Sequence, residues 1–362
     1  MEVRLTTQVS LAEAADLICA VGTTNTVHLM GEPGIGKTSM FEDIVARTGL
    51  KGIYIDVPNV DLGDLGIPVP NHETKTVSLY PNAHWGFHTG EPLCIFLDEF
   101  TKGSQGVQNM LHPLLNERRF GGDKIHKDSI VITAGNLSGD SVGDTMKAHT
   151  NQRLTKVHVK KPEMGIEPDG KVKDGSWGQW ALRNDVAPEV ITFGKEYPQI
   201  LASYTDPAQA ENPYIFHPKK PNVSVVSPRT LAKASNIIKQ RDRFSSNALQ
   251  TALAGTIGET AAKDMMAYLS VADTLPTWDS IMKDPANAQV PTSPAALCIL
   301  AYSALQRVER DTIGKWFEYL KRTPKELQSV FCLSGIKSDT KKALMMTSAP
   351  FVNWMRENQY LF

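Results

Sequence analysis

The sequence predicts an α/β domain, a parallel sheet flanked by helices, followed by an all-helical domain. Three observations carry that expectation. A glycine loop, Gly31-Glu32-Pro33-Gly34-Ile35-Gly36-Lys37-Thr38, stands between a short β-branched, apolar run and a helical pattern. Two continuous apolar runs, Leu93–Leu97 and Ser129–Ala134, have the character of strands buried on both faces, and polar residues follow each of them. Beyond Lys160-Lys161 the alternation of strand and helix stops.

At 362 residues the chain exceeds one typical core, so two domains are expected: 1–161, then a linker over 162–174, then 175–362. A composition of 41% hydrophobic and 21% charged residues is that of an ordinary globular chain. The net charge of −1 supplies no global field toward nucleic acid or an anionic membrane. Met1-Glu2-Val3-Arg4 opens without the apolar centre of a signal peptide, and no apolar run nears the length of a bilayer. A cytoplasmic location follows as the expectation. Cys19, Cys94, Cys298 and Cys332 stand singly in largely apolar stretches, as small buried hydrophobes do in a reducing compartment. His84 and His88 have a ligand-like spacing, but only a helix would bring both rings to one face. Prolines and glycines surround them, so no structural metal is expected.

In chain order, Ser10-Leu11-Ala12-Glu13 is a capping box opening a helix to about Ala20. Thr26–Met30 is the strand before the glycine loop, and Ser39–Thr48 the helix after it, with Met40, Ile44 and Val45 on one face. Ile53–Val57 is a second strand. The stretch 58–90 holds four prolines and four glycines and reads as an insertion, with a small hairpin around Lys75–Tyr80. Ser104 caps a helix through Glu117 that Pro113 should kink. Gly121-Gly122-Asp123 centres a second hairpin within 118–128. Met146–Arg153 reads as a short helix and Leu154–Val159 as the last strand. Asp206–Lys220 is a loop, and Ser227-Pro228-Arg229 starts a helix with proline at its first position.

The glycine loop fits G-x-x-x-x-G-K-[ST] without a mismatch. Strand, loop and helix in that order turn backbone N–H groups toward phosphate oxygens. Gly31, Glu32, Pro33, Gly34, Ile35, Gly36, Lys37, Thr38 and Ser39 are therefore the candidate nucleotide-binding residues. Lys37 would reach the β- and γ-phosphates and the Thr38 hydroxyl would hold Mg²⁺. Asp98, at a strand tip, can complete the magnesium shell, and Glu99 can polarise the attacking water. Alone, that pair would equally open a surface turn; with the glycine loop upstream it favours the metal. Asn136 can orient the water or the γ-phosphate, although asparagine also favours turns on its own account.

The ordered series of motifs resembles AAA+ ATPases and, within them, the MoxR-like group. Residues 31–38 match the family's Walker A, Ile95-Phe96-Leu97-Asp98-Glu99-Phe100 its Walker B, and Gln108 to Arg119 the helix that follows. Ile132-Thr133-Ala134-Gly135-Asn136 is similar to sensor 1, and Ser227-Pro228-Arg229 to sensor 2. Asn151-Gln152-Arg153-Leu154 lies where the family carries an arginine finger, with Leu154 in place of the usual phenylalanine. Trp177-Gly178-Gln179-Trp180-Ala181, Ala187-Pro188-Glu189-Val190 and Ile257-Gly258-Glu259 extend the likeness into the helical part. The resemblance implies an AAA+ core with a helical lid, using ATP and Mg²⁺, with Glu99, Asn136, Arg153 and Arg229 as catalytic residues. It implies a ring, usually of six subunits, that remodels a protein client, often beside a von Willebrand factor A-type partner. A competing reading is a nucleic-acid motor using Arg118, Arg119, Lys124 and Lys127. The near-neutral charge and absence of aromatic platforms argue against it. A third is a nucleotide-gated scaffold with little turnover.

Overall fold

The computed structural model describes residues 7–137, 152–218 and 223–361. It forms two compact units, Met1–Lys161 and Pro162–Phe362. In the first, α1 (Leu11–Val21) begins with the expected capping box: the Ser10 hydroxyl accepts the Glu13 N–H at 3.2 Å, and the Glu13 carboxylate accepts the Ser10 N–H at 2.7 Å. β1 (Thr26–Met30), α2 (Lys37–Thr48) and β2 (Lys51–Asp56) follow. The insertion supplies α3 (Leu62–Leu65), β3 (Gly66–Asn71) and β4 (Thr76–Pro81), and the chain re-enters the core at β5 (Leu93–Asp98). Then come α4 (Gln105–Asn116), β6 (Arg119–Phe120), β7 (Asp123–Lys124), β8 (Ile130–Gly135) and β9 (Leu154–His158).

Five of these strands make one parallel sheet in the order β2-β5-β8-β1-β9. Strand periodicity divides its side chains between two cores. Leu29, Phe96 and Ile132 join Ala14, Ile18 and Ile44 on one face, and Ile95, Leu97 and Val131 join Leu111 and Leu114 on the other. That two-sided burial is why the strands read as unbroken apolar runs.

α4 runs through Pro113 as one continuous helix, and the Pro113 carbonyl accepts the Glu117 N–H at 2.8 Å. Of the helix expected over 146–153, residues 146–151, Asn151 included, lie outside the described residues; Gln152 and Arg153 form a turn into β9. The two hairpins are β3–β4 and β6–β7, both antiparallel. They touch through Leu79. A Cβ on Gly121, whose φ is 60°, would stand 3.1 Å from the Leu79 side chain.

Among the described residues, the second unit contains only helices and short irregular segments, apart from one bridge between Ile166 and Val172. Its core gathers Phe193, Tyr302, Trp316, Phe317 and Phe331. Residues 162–174, expected as a linker, pack into that core through Met164, Ile166 and Val172. The prolines, glycines and charges of this stretch fill its turns while three apolar side chains anchor it.

Candidate functional site

Register assembles the site. Met30 of β1 pairs with Gly135 of β8, Leu97 of β5 with Thr133 of β8, and Asp56 of β2 with Asp98 of β5. The glycine loop, Asn136 and the Asp98-Glu99 pair therefore emerge at the same edge of the sheet, where parallel strands end and ligands bind in open α/β folds.

In the loop, Gly34 and Gly36 take φ of 75° and 106°, a region that side chains avoid. Gly36 is the N-cap of α2, no side chain caps this helix, and its first turn carries no acidic residue. The N-terminal N–H groups and the positive end of the helix dipole are thus available to an anion. Ile35 is buried beneath the loop and fills the space a side chain on Gly31 would need: a Cβ there would lie 2.6 Å from Ile35 Cδ1.

Lys37 is buried, and its ammonium donates to three oxygens: Gly31 O at 3.0 Å, Glu32 O at 3.2 Å and Asn136 Oδ1 at 3.3 Å. The last contact joins the loop to the tip of β8. Glu32 is also buried, with its carboxylate 4.0 Å from Lys161 Nζ. Burial pushes the Lys161 amine below its usual range, and Glu32 opposes that shift. Pro33 and Thr38 are half-buried and Ser39 is exposed.

Asp98 accepts the Tyr54 O–H at 2.8 Å and the Glu99 N–H at 3.0 Å. Glu99 has φ of 48°, left-handed for a residue with a Cβ, a conformation that clusters at functional sites. Its carboxylate pairs with Lys102 Nζ at 2.8 Å, three residues on. The Gln108 amide donates to Thr101 O at 3.1 Å and Gly103 O at 2.8 Å, which holds this turn closed. His28 of β1 lies under the same edge, buried, with Nδ1 2.8 Å from Thr133 Oγ1. A Cβ on Gly135 would stand 3.2 Å from its ring. Burial, helped by the cations of Lys156 and Lys37, pushes the imidazole down to about 3, so it is neutral at ordinary pH.

Lys37 and Asn136 are in direct contact, and Asp98 and Glu99 adjoin each other. Arg153 instead stands with Nη1 2.5 Å from His112 Nδ1 on α4. Arg229 is an exposed residue in the first turn of helix Pro228–Ile238 of the second unit, whose N-cap Ser227 accepts the Thr230 N–H at 3.1 Å. Tyr54, Lys102 and His28 were not anticipated. A lone histidine in an apolar strand and a lysine three residues after Glu99 were the only signals the sequence held for them.

The donor set suits a magnesium nucleotide. Magnesium is held by one or two protein oxygens plus phosphates and water, and Thr38 and Asp98 offer a hydroxyl and a carboxylate. Among the described residues no group of three or more His, Cys, Asp or Glu converges into an all-protein metal cage.

No helix among the described residues is long and apolar enough to cross a membrane. A search of curated proteins gave no match. Among solved structures, the chain is similar to NtrX from Brucella abortus in complex with ADP, at 13% identity over 99% of this chain and 70% of that one, with a TM-score of 0.40. It is also similar to the RuvB Holliday junction branch migration motor of Thermotoga maritima, at 16% identity over 87% and 89%, with a TM-score of 0.37. Residues 26–154 match the family model described as the AAA domain, dynein-related subfamily. With its five-stranded parallel sheet and glycine loop, the first unit therefore carries an AAA+ ATPase domain, whose general chemistry is nucleotide binding and hydrolysis.

Proposed function

We propose that this chain is a magnesium-dependent ATPase of the MoxR-like kind that spends hydrolysis on remodelling a protein client. The observation that carries the reading is the contact of Lys37 with both the loop carbonyls and Asn136, which ties the nucleotide loop to the neighbouring strand tip. Lys37 and the N–H groups at the start of α2 bind phosphate oxygens, and Thr38 and Asp98 hold Mg²⁺. The metal, when bound, neutralises charge developing on the phosphates. Glu99 aligns the attacking water and Asn136 fixes the geometry at the γ-phosphate. Arg153, from a neighbouring subunit, and Arg229, from the helical unit, supply positive charge to the transition state, so hydrolysis depends on assembly into a ring, here taken as six. The hairpins β3–β4 and β6–β7 face the client, a von Willebrand factor A-type protein is the expected companion, and the cytoplasm is the expected location.

The nucleic-acid alternative is weakened by the fate of its cations. Arg118 is turned inward, donates to Gly22 O at 3.0 Å, and is pushed by burial down to about 10. Arg119 pairs with Glu117 at 2.5 Å. Only Lys124 and Lys127 remain for a phosphate backbone. The test is Glu99→Gln: ATP binding retained, turnover reduced by about 10²-fold or more. Unchanged turnover would remove Glu99 from the mechanism, and absent turnover in the unaltered protein would favour the scaffold.

A further inference from the structure

The β3–β4 hairpin has two unlike edges. Asn82 donates its N–H to Leu65 O at 3.1 Å, just outside the ladder. Stepping two residues at a time from that pair, the register makes Ile67–Tyr80, Val69–Ser78 and Asn71–Thr76 the hydrogen-bonded pairs. Gly66–Pro81, Pro68–Leu79 and Pro70–Val77 are then the pairs whose backbone groups point outward. On the β3 side two of these positions are prolines, which have no N–H and blunt a strand edge, and the Gly66 N–H is already donated to Leu62 O. On the β4 side Pro81 lacks an N–H, but Val77 and Leu79 keep donor and acceptor, and among the described residues β4 pairs with β3 alone. One edge is closed to further pairing and the other is open.

The open edge lies in apolar surroundings. Val77 is 65% exposed on one face of the hairpin, and Ile67 and Tyr80 are each 61% exposed on the other. Leu79 rests on Gly121, which fixes the edge against the second hairpin. The charged residues of the hairpin, Glu73 and Lys75, sit at its turn and not along β4.

From this we infer that β4 takes up an extended, uncharged segment of the client protein as a third strand, with β-branched or aromatic side chains at alternate positions; the inference rests on the reading of the hairpins as client-facing. Main-chain bonds to Val77 and Leu79 supply affinity, and alternate side chains meet apolar surface on both faces. A second copy of this chain fits less well. Edge-to-edge pairing of two six-residue strands buries far less than the roughly 1,200 Å² of a stable interface, whereas a flexible segment can follow the strand and lie over both faces.

The test uses the full chain with a panel of acetylated, amidated octapeptides in which Val, Ile, Tyr or Phe alternates with Thr or Ser. Amide hydrogen exchange is read residue by residue, with peptide binding followed by fluorescence anisotropy. A binding peptide should slow exchange at Val77 and Leu79 about tenfold or more, leaving Ser78 and Tyr80, already bonded to β3, unchanged. Val77→Pro removes one outward N–H without touching the ladder and should weaken that peptide about tenfold. If this variant does not fold, the alternating pattern in the unaltered protein decides alone. No peptide altering Val77 and Leu79, a uniform change along β4, binding indifferent to Val77→Pro in a folded variant, or a dimer without peptide that protects the same two amides would each overturn the proposal. ATP turnover measured on the same samples separates the two failures: turnover without the exchange pattern sinks the strand proposal only, and loss of both sinks the reading beneath it.

Discussion

Removing the Lys102 charge should speed hydrolysis. In the proposed mechanism Glu99 must face the attacking water, yet its carboxylate is held by Lys102 at 2.8 Å. The two side chains are 39% and 34% exposed, so solvent screens the pair. Pairs of this kind at i,i+3 are worth about 0.3–1 kcal/mol. If the paired rotamer is unproductive, breaking the pair raises the productive fraction by the same free energy, about two- to fivefold. Lys102→Met keeps the aliphatic stem and removes only the ammonium. Single-turnover ATP hydrolysis, at saturating ATP and magnesium, would compare it with the unaltered protein at about 0.05 M and about 0.5 M salt. The gap should narrow at high salt, where screening already weakens the pair. Combining it with Glu99→Gln should abolish the gain, because the two changes act on one interaction. A variant no faster than the parent, or a gap indifferent to salt, would show that the Glu99–Lys102 pair does not restrain the reaction.

Three further outcomes follow from the geometry. Lys37→Ala removes a charged donor from the loop, and charge-assisted bonds of about 1.5–3 kcal/mol imply a loss of nucleotide affinity of about 10–100-fold, measurable by titration calorimetry. His28 is neutral in the fold down to about pH 3, while the unfolded chain takes up the proton near 6.5. Between those values the unfolded state binds more protons, so stability rises with pH and should fall by about 2 kcal/mol from pH 7 to pH 5; urea denaturation of His28→Asn at both pH values should lack that share of the slope. Glu32→Gln and Lys161→Met act on one buried pair, so by chemical denaturation the double variant should lose less than the sum of the two single losses.

Much of the first unit was legible because its signals are backbone requirements. Gly34 and Gly36 announce positive φ, and the unbroken run through Leu93–Leu97 announces a strand covered on both sides. β3 was harder. Gly66-Ile67-Pro68-Val69-Pro70-Asn71 does not read as a strand by itself, since proline is excluded from paired positions; only its register with β4 makes both prolines permissible. Composition reads residues 162–174 as a linker for a related reason. Composition weighs all residues equally, but burial of Met164, Ile166 and Val172 decides where the segment goes. The turn at 99–103 left only a faint pattern, because the local contacts of Lys102 and Gln108 form around a left-handed backbone at Glu99 that no residue type announces.

The groups at the sheet edge differ in what a bound nucleotide would ask of them. Lys37 donates to the neutral oxygens of Gly31, Glu32 and Asn136 among others, and a charged phosphate oxygen offers a stronger acceptor than any of these three. Asp98 receives two donors and still has lone pairs for a water of the metal shell, so neither the Tyr54 bond nor the Glu99 N–H need break. Glu99 differs. Its partner is a cation, and turning the carboxylate toward water gives up that attraction without an equivalent in return. Its left-handed backbone adds a conformational cost that the Gln108 bonds to the turn hold in place. Binding can therefore proceed by exchange of like contacts, while catalysis requires one contact to be lost. In the proposed mechanism, control of the rate would therefore lie in the turn after β5, where Lys102 and Gln108 hold Glu99 and its backbone.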